Sequence, residues 1–222
     1  MDDLVARLSR VDSCAVSDAL DKLGLPGAVS GLLRLSTERR IAGRVVTVKL
    51  DQNDGRAASA RHLGTTAIES AEAGDVIVIE QRTGIDAAAW GGNLALGARL
   101  RGVAGVIVEG PARDVDECRM HDFPVFARAH TARTARGRIV ETGTNVPIAV
   151  GDIAVSPGDY VVADGSAVVF VARHEIERVL AAAEAIAAQE RAMADLLLAG
   201  APISQVMGKR YETMLVSRPQ DS

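Results

Sequence analysis

The sequence predicts an α/β protein that folds as one layered domain. Three apolar segments rich in β-branched residues, 41–50, 76–80 and 103–108, have the composition of buried strands. A segment with helical periodicity lies between the second and third of them, which is the order of a β-α-β unit. No linker-like segment divides the chain, so we expect a single domain over residues 1–222.

Helices and a turn-rich connection are predicted before the first strand. Residues 2–23 carry apolar side chains at helical spacing, which predicts one or two helices. Ser13 or Ser17 is expected to cap the second helix, and Gly24 is expected to end it. Residues 25–36, which Gly and Pro punctuate, are predicted to form the connection to the sheet.

The first long strand is predicted to have two distinct faces. Side chains alternate between the two sides of a sheet, so residues 41–50 separate into two sets. One set contains Val45, Thr47 and Lys49, and the other contains Val46, Val48 and Leu50. A polar turn is predicted at 51–55, and residues 56–73 have a helical composition.

The stretch WGGNLALGARLRGVAGVIVEGPARD, residues 90–114, is the one on which the predicted site depends. Gly91 and Gly92 free the backbone directly before a helix predicted at 93–101. Gly102 is expected to end that helix. This stretch therefore places a glycine-led helix start between two buried strands.

A strand and a turn are predicted after this helix. Residues 103–108 are apolar and β-branched, as in a strand that is covered on both faces. Glycine and proline then predict a turn over 109–112, because proline cannot donate to a strand ladder. The turn leads to an adjacent arginine–aspartate pair, Arg113 and Asp114.

Connection rules bring the helix start and this pair to one crevice. If the strands at 76–80 and 103–108 are parallel neighbours, the helix begins and the second loop leaves at the same sheet edge. Unpaired N–H groups at the helix start attract an anion, and Arg113 offers a planar fork for a carboxylate. Asp114 offers an oxygen ligand suited to hydrated Mg²⁺. The pattern predicts a carboxylate-and-metal site, and the alternative is an ordinary turn beside a surface ion pair.

Shorter elements and a terminal helix are predicted for the remainder. A short helix follows Asp114 and runs to Met120. Further strands are predicted at 124–127, 146–155 and 160–171. The basic segment 131–143 is expected to be a solvated loop or a subunit contact in preference to a substrate site. An alanine-rich helix at 174–198 has an apolar face that needs a partner, either its own domain or a neighbouring subunit.

Composition excludes several classes of protein. The net charge of −4 argues against a nucleic-acid partner, which usually requires a basic surface. Two cysteines, Cys14 and Cys118, are too few for a disulfide framework or a thiolate zinc site. The N-terminus lacks the features of a signal peptide, and no apolar run approaches the ~20 residues of a membrane span. We therefore expect a cytoplasmic protein that does not interact with membranes.

Motifs for other chemistries are missing from the sequence. It contains no G-x-S-x-G elbow, no P-loop and no G-x-G-x-x-G, and its four histidines have no metal-ligand spacing. Lewis-acid chemistry on a small carboxylated substrate remains. A cation chelated by a 2-oxo acid polarises the carbonyl and stabilises the charge that forms when a C–C bond breaks.

The chain resembles the family that joins the regulator of ribonuclease activity A to the metal-dependent 4-hydroxy-4-methyl-2-oxoglutarate aldolases, also known as demethylmenaquinone methyltransferase-like proteins. The resemblance depends mainly on GGNLALGARLRGVAGVIVEGPARD, and further on SDALDKLG, GDVIVIE, FPVFARAHTARTARGR, PGDYVVADGSAVVFV and VMGKRYETML. It implies a ββα swivelling-type fold that assembles as a homotrimer or homohexamer. The C-terminal helix and tail, 174–222, are then expected to be able to pack on a neighbouring subunit.

The resemblance also implies a role for each residue of the site. Arg113 would bind the pyruvate portion of the substrate, and Asp114 would bind Mg²⁺ or Mn²⁺, partly through water. Gly92, Asn93 and Leu94 form the helix start, where the N–H groups of the last two would receive the pyruvyl carboxylate. The expected catalytic residues are Arg113, Asp114 and Glu190, with Asp114 as the metal ligand.

Two features depart from the family pattern. The aldolases commonly have an acidic residue where this chain has Gly92, so one partner for metal-bound water or for a proton is missing. The usual D-G-x-x-R-D reads E-G-P-A-R-D, with Glu109 as a conservative change. A glutamate from the terminal helix of a neighbouring subunit assists in the aldolases, and Glu190 is the expected counterpart.

The sequence thus favours a divalent-metal-dependent lyase that cleaves a 2-oxo acid and releases pyruvate, by retro-aldol cleavage or by decarboxylation of oxaloacetate. A non-catalytic protein that binds and inhibits a ribonuclease is the first alternative. Another metal-assisted reaction on a related keto acid is the second. An intact Arg113–Asp114 pair favours the enzyme, whereas Gly92 favours the ribonuclease inhibitor.

Overall fold

The structure is a computed structural model that describes residues 2–55 and 61–208. The helices are α1 (Asp3–Leu8), α2 (Ser13–Leu23), α3 (Thr65–Ser70), α4 (Gly92–Arg101), α5 (Val115–Met120), α6 (Ile176–Leu198) and α7 (Ile203–Val206). The strands are β1 (Ala28–Val29), β2 (Leu33–Arg34), β3 (Ile41–Gln52), β4 (Val76–Gln81), β5 (Gly105–Ala112), β6 (Val125–His130), β7 (Ile139–Thr144), β8 (Ile148–Val150), β9 (Ile153–Val155), β10 (Tyr160–Ala163) and β11 (Val168–Val171).

The sheet is built around β3. The start of β3 pairs antiparallel with β10, and from Val45 onward it pairs in parallel with β4. Strands β4, β5 and β6 continue the parallel order, with α4 and α5 in the crossovers between them. Over the described residues the strand order is β1-β11-β10-β3-β4-β5-β6-β2, and β7 pairs with the second half of β3. The predicted β-α-β arrangement is therefore confirmed.

The two faces of β3 contribute to different cores. Val46, Val48 and Leu50 pack beneath α3 and α4, whereas Val45 belongs to the core on the opposite face. The predicted alternation of these side chains is confirmed. Thr47 is also buried, and its hydroxyl donates a 2.6 Å hydrogen bond to the carbonyl of Val146.

The N-terminal helices cover the antiparallel end of the sheet together with α6. Of the one or two helices predicted over residues 2–23, two are present, and the predicted end at Gly24, with φ 67°, is confirmed. The predicted cap is wrong, because Asp12 caps α2 by accepting a 2.8 Å hydrogen bond from the N–H of Ala15. Ser13 is the first helical residue and instead donates from its hydroxyl to Asp164 at 2.7 Å.

The long C-terminal helix packs one face on its own domain. Its first four turns bury Val179, Leu180 and Ala183, while Leu198 near its end is 86% exposed. Glu184 holds α6 to α1 by accepting two 2.8 Å hydrogen bonds from the guanidinium of Arg7. Packing of the segment 174–222 on a neighbouring subunit stays a prediction, and residues 209–222 lie outside the described part.

Two predicted elements differ from the structure. The helix predicted at 56–73 is confined to α3 among the described residues, and residues 56–60 lie outside them. Residues 139–143 of the segment predicted as a loop at 131–143 belong to β7, which pairs antiparallel with the end of β3. In the part of the chain that the structure describes, no helix combines the length and apolarity needed to cross a bilayer.

Candidate active site

The crevice lies where α4 begins and β5 ends. Strands β4 and β5 are parallel neighbours, so both loops leave the sheet at the same edge. The N–H of Arg113 donates to the carbonyl of Trp90 at 2.9 Å. The N–H of Gly92 donates to Oδ2 of Asp114 at 3.1 Å. The structure thus brings the helix start and the arginine–aspartate pair together, as the connection rules predict.

Strand β5 continues through the residues predicted as a turn. The turn expected at 109–112 is wrong, because β5 pairs with β6 as far as Ala112 after a register shift between Val108 and Pro111. The carbonyl of Pro111 accepts a 2.9 Å hydrogen bond from the N–H of Ala89, which joins β5 to the loop before α4. The extension moves Arg113 and Asp114 to the rim of the crevice.

One buried amide shapes the loop that precedes α4. Gln81 is 4% exposed, and its Nε2 donates to the carbonyls of Ile85 and Ala87 at 3.0 Å each. A side chain at Gly110 would collide with Gln81, because a Cβ there would lie 2.8 Å from the carbonyl oxygen of Gln81. This contact explains why the position beside Gln81 is a glycine.

The start of α4 presents free donors. Gly91 is the N-terminal flanking residue, and the first backbone hydrogen bond of the helix runs from Ala95 to its carbonyl. Within residues 2–55 and 61–208, the N–H groups of Asn93 and Leu94 have no acceptor. These two donors, at the positive end of the helix dipole, are suited to an anion.

Asp114 is turned toward α4 although it precedes α5. It has a left-handed backbone with φ 54°, and its side chain makes no capping hydrogen bond to α5. Its Oδ2 instead accepts from Gly92 and lies 3.2 Å from Nε of Arg113, with the two side chains 31% and 35% exposed. A carboxylate and a guanidinium are therefore fixed side by side with part of each open to solvent.

A cavity of about 300 Å³ lies in front of these groups. The polar residues that line it include His62, Asn93, Arg113, Asp114, Thr134 and Arg136. The sequence did not indicate His62, because a lone histidine carries no spacing signal. Arg136 belongs to the basic segment 131–143, for which a solvated loop or a subunit contact was preferred over a substrate site, and it lines the cavity. Their place in the fold depends on α3 and on the loop before β7, which meet only in three dimensions.

The environment of the cavity affects two titratable groups. Burial lowers the pKa of His62, and the positive charges of Arg136 and Arg113 lower it further. Burial raises the pKa of the Cys118 thiol to about 11, with smaller contributions from Asp114 and Glu117. The imidazole is therefore neutral at pH 7, and the thiol is not a nucleophile there.

The indole of Trp90 forms part of the same wall. It is 1% exposed and stacks on Phe123 with ring centroids 6.0 Å apart. Its Nε1 is buried and has no hydrogen-bond partner among the described residues. A buried donor without a partner is unfavourable, so this indole N–H lowers the stability of the wall of the crevice.

Glu190 lies in a different part of the same chain. It is on α6 and lines a separate cavity of about 440 Å³ with Asp12, Arg40 and Asp164. Burial raises the pKa of Glu190, as do the charges of Asp12 and Asp18. Within one chain Glu190 does not join Arg113 and Asp114, and its role from a neighbouring subunit stays a prediction.

The protein thus has an α/β fold with a crevice at the carboxyl ends of its parallel strands. In that crevice the glycine-led start of α4 faces the Arg113–Asp114 pair. The chain belongs to the RraA-like family, since the family model described as Aldolase/RraA matches residues 13–170. The resemblance stated from the sequence is thereby confirmed.

Two curated relatives cover most of the chain. The first, from Halalkalibacterium halodurans, carries the provisional name 4-hydroxy-4-methyl-2-oxoglutarate aldolase. It is 31% identical over 205 residues, which are 89% of this chain and 91% of the relative. Protein DlpA of Legionella pneumophila is 26% identical over 205 residues, 92% of this chain. The chain spans only about a third of the length of DlpA (33%).

Solved structures share the fold. An uncharacterized protein from Pseudomonas syringae has a TM-score of 0.84 and 26% identity, covering 94% of this chain and 98% of that one. A Thermus protein described as the RNA-processing inhibitor RraA has a TM-score of 0.58 and 28% identity, covering 70% and 91%. The predicted fold, a mixed α/β domain with N-terminal helices and a long C-terminal helix, is confirmed.

Proposed function

We propose that this protein is a lyase that cleaves a carbon–carbon bond of a 2-oxo acid and releases pyruvate, with Mg²⁺ or Mn²⁺ as cofactor. The observation that supports this most strongly is the convergence of Arg113, the free N–H groups at the start of α4 and the carboxylate of Asp114 in one crevice. The provisional name of the H. halodurans relative supports the same class of reaction.

The substrate carboxylate is assigned to the helix start. The N–H groups of Asn93 and Leu94 would each donate to one oxygen of the substrate carboxylate. The terminal nitrogens of the Arg113 guanidinium would donate to the same carboxylate or to the neighbouring carbonyl. Nε of Arg113 faces Asp114, which leaves the terminal nitrogens for the substrate. These contacts would hold the 2-oxo acid by its carboxylate end, with its reacting carbons in the cavity.

The residues present fit a divalent cation at Asp114. Over residues 2–55 and 61–208, no group of three or more His, Cys, Asp or Glu is arranged to hold a metal, so protein ligands would be few and water would supply the rest, as Mg²⁺ prefers. Glycine at residue 91 allows the Asp114 carboxylate to approach the start of α4, because a Cβ there would lie 2.6 Å from its Oδ2. A cation bound there would polarise the 2-oxo carbonyl and stabilise the negative charge that develops on its oxygen.

Both candidate reactions need a proton at C3 of the product. When the C3–C4 bond breaks, its electron pair stays with the pyruvyl half, and C3 then takes up a proton to give pyruvate. Retro-aldol cleavage also removes the proton of the 4-hydroxyl group, whereas decarboxylation releases CO₂ and takes the C3 proton from water. His62 is neutral and lines the cavity, so we assign it the transfer of the proton from the hydroxyl to C3.

The test is pyruvate release from 4-hydroxy-4-methyl-2-oxoglutarate and from oxaloacetate, with Mg²⁺, with Mn²⁺ and with chelator. Asp114→Asn is the informative variant, because asparagine tolerates the left-handed backbone and still accepts from Gly92. It should abolish the metal-dependent turnover, whereas the exposed neighbour Asp116→Asn should not. Equal turnover in chelator would overturn the role of the metal, and no pyruvate from either substrate would overturn the lyase.

The alternative is a non-catalytic protein that inhibits a ribonuclease. Similarity to the Thermus RNA-processing inhibitor RraA, at 28% identity, supports this alternative. The two functions predict opposite results, because an inhibitor slows RNA cleavage by a ribonuclease and releases no pyruvate. Inhibition of the ribonuclease by this protein would also be unchanged by Asp114→Asn, unless the ribonuclease bound at the crevice.

A further inference from the structure

At the start of α4, the exposed side chain of Glu117 lies where a side chain at residue 92 would extend. A Cβ added at Gly92 would lie 1.8 Å from Oε2 of Glu117 and 2.9 Å from its Cβ and Cδ. Gly92 does not need glycine for its backbone, since it lies outside the left-handed region. The space that a side chain at residue 92 would fill is therefore already taken by the carboxyl group of Glu117.

Glu117 is held in this position by the turn that also carries Asp114. Asp114 immediately precedes α5 and Glu117 lies in its first turn. The two carboxylates lie against successive residues at the start of α4, Asp114 against Gly91 and Glu117 against Gly92. Hydrogen bonds from Cys118 to the Asp114 carbonyl at 3.0 Å and from His121 to the Glu117 carbonyl at 2.9 Å fix the turn. The buried Cys118 anchors it to the core beneath α4.

The Glu117 carboxylate has no partner of its own in the described part of the chain. No hydrogen bond or ion pair to its side chain is formed there, whereas its neighbour Asp116 accepts from Arg119 at 2.8 Å. Two successive glycines, Gly91 and Gly92, are thus each in contact with one carboxylate, from Asp114 and from Glu117. Two like charges at one helix start repel each other, and a shared cation removes that repulsion.

We propose that Glu117 supplies the second carboxylate of the cation site, from the space that a side chain at residue 92 would otherwise occupy. This inference rests on the metal-dependent function proposed above. Asp114 and Glu117 then provide two oxygen ligands, either directly or through bound water, and water and substrate complete the octahedron. Gly92 has no carboxylate to offer a cation, and Glu117, 25 positions later in the chain, supplies one in its place.

The first test measures the binding of Mn²⁺ to the full-length protein without substrate. Electron paramagnetic resonance reports the concentration of free Mn²⁺ and so gives the Kd. Glu117→Gln keeps the shape of the side chain and removes its charge, so the Kd should rise by about tenfold or more. Asp116→Asn, one residue earlier and exposed, is the matched control and should stay within about twofold of wild type. Asp114→Asn should also weaken binding.

These measurements separate the inference from the function on which it rests. If Glu117→Gln binds Mn²⁺ as tightly as wild type while Asp114→Asn does not, the role of Glu117 is wrong and the metal-dependent function stands. If wild type fails to bind Mn²⁺ at millimolar concentration, the proposed function is wrong, and the inference falls with it. Circular dichroism of each variant confirms that the fold is retained.

The second test places a carboxylate at residue 92 and removes the one at residue 117. Gly92→Asp alone should lower the melting temperature, because its Cβ meets Glu117. Combining Gly92→Asp with Glu117→Ala should restore both the melting temperature and the Mn²⁺ affinity. Gly92→Asn with Glu117→Ala has the same shape without the charge, so it should restore stability alone. Equal Mn²⁺ affinity in the two double variants would overturn the inference.

Discussion

Truncation of Arg113 tests how the substrate is held. Arg113→Ala leaves the backbone in place, because the N–H of residue 113 still donates to the carbonyl of Trp90. Asp114 also stays fixed through the N–H of Gly92, so the variant removes only the guanidinium. A charge-assisted hydrogen bond contributes about 1.5–3 kcal/mol, which corresponds to a roughly 10- to 150-fold loss in kcat/KM.

The assay is steady-state pyruvate release with Mg²⁺ at saturating concentration. Arg113→Lys should lose less than Arg113→Ala, because lysine keeps the charge but not the planar fork. Arg133→Ala is the matched control, since Arg133 is 65% exposed and pairs with Asp86 at 3.3 Å outside the cavity. A kcat/KM for Arg113→Ala within about twofold of this control would refute the assigned role, because so small a change is typical of a surface charge.

Three further predictions concern charge and packing. Arg136→Ala removes a charge that lowers the pKa of His62, so that pKa should rise, and an NMR titration showing no change would contradict this contact. Trp90→Ala should lower the free energy of unfolding in urea by about 3–5 kcal/mol, because the ring is 1% exposed. Glu184→Gln should lower stability at pH 7. The hydrogen bond from Arg7 lowers the pKa of Glu184 in the folded state, so the difference should disappear as pH falls through that pKa.

Sequence signals were sufficient for α4 and for the pairing of the strands on either side of it. Glycines fix the ends of α2 and α4, with φ 67° at Gly24 and 86° at Gly102, and such ends depend only on neighbouring residues. The parallel pairing of β4 and β5 follows from the helix between them. Because these rules are local, the meeting of Arg113 and Asp114 with the helix start could be predicted from the sequence.

The features that the sequence did not reveal depend on partners distant in the chain. Strand β7 forms because the end of β3 offers an open edge, and no pattern within 131–143 indicates that edge. The extension of β5 depends on a register shift opposite β6. The contact between Gly92 and Glu117 is of the same kind, since a missing side chain at one position is informative only once its neighbour in space is known.

The hydrogen bonds of Gln81 have a consequence for how the crevice meets a ligand. They hold the carbonyls of Ile85 and Ala87 in the loop that leads to Gly91, so this loop is ordered without any ligand. The loop loses its conformational entropy when the protein folds, so ligand binding carries no further entropic cost for ordering this loop. A small molecule that enters the crevice therefore meets a rigid, preorganised wall, and its affinity reports mainly the contacts it makes there.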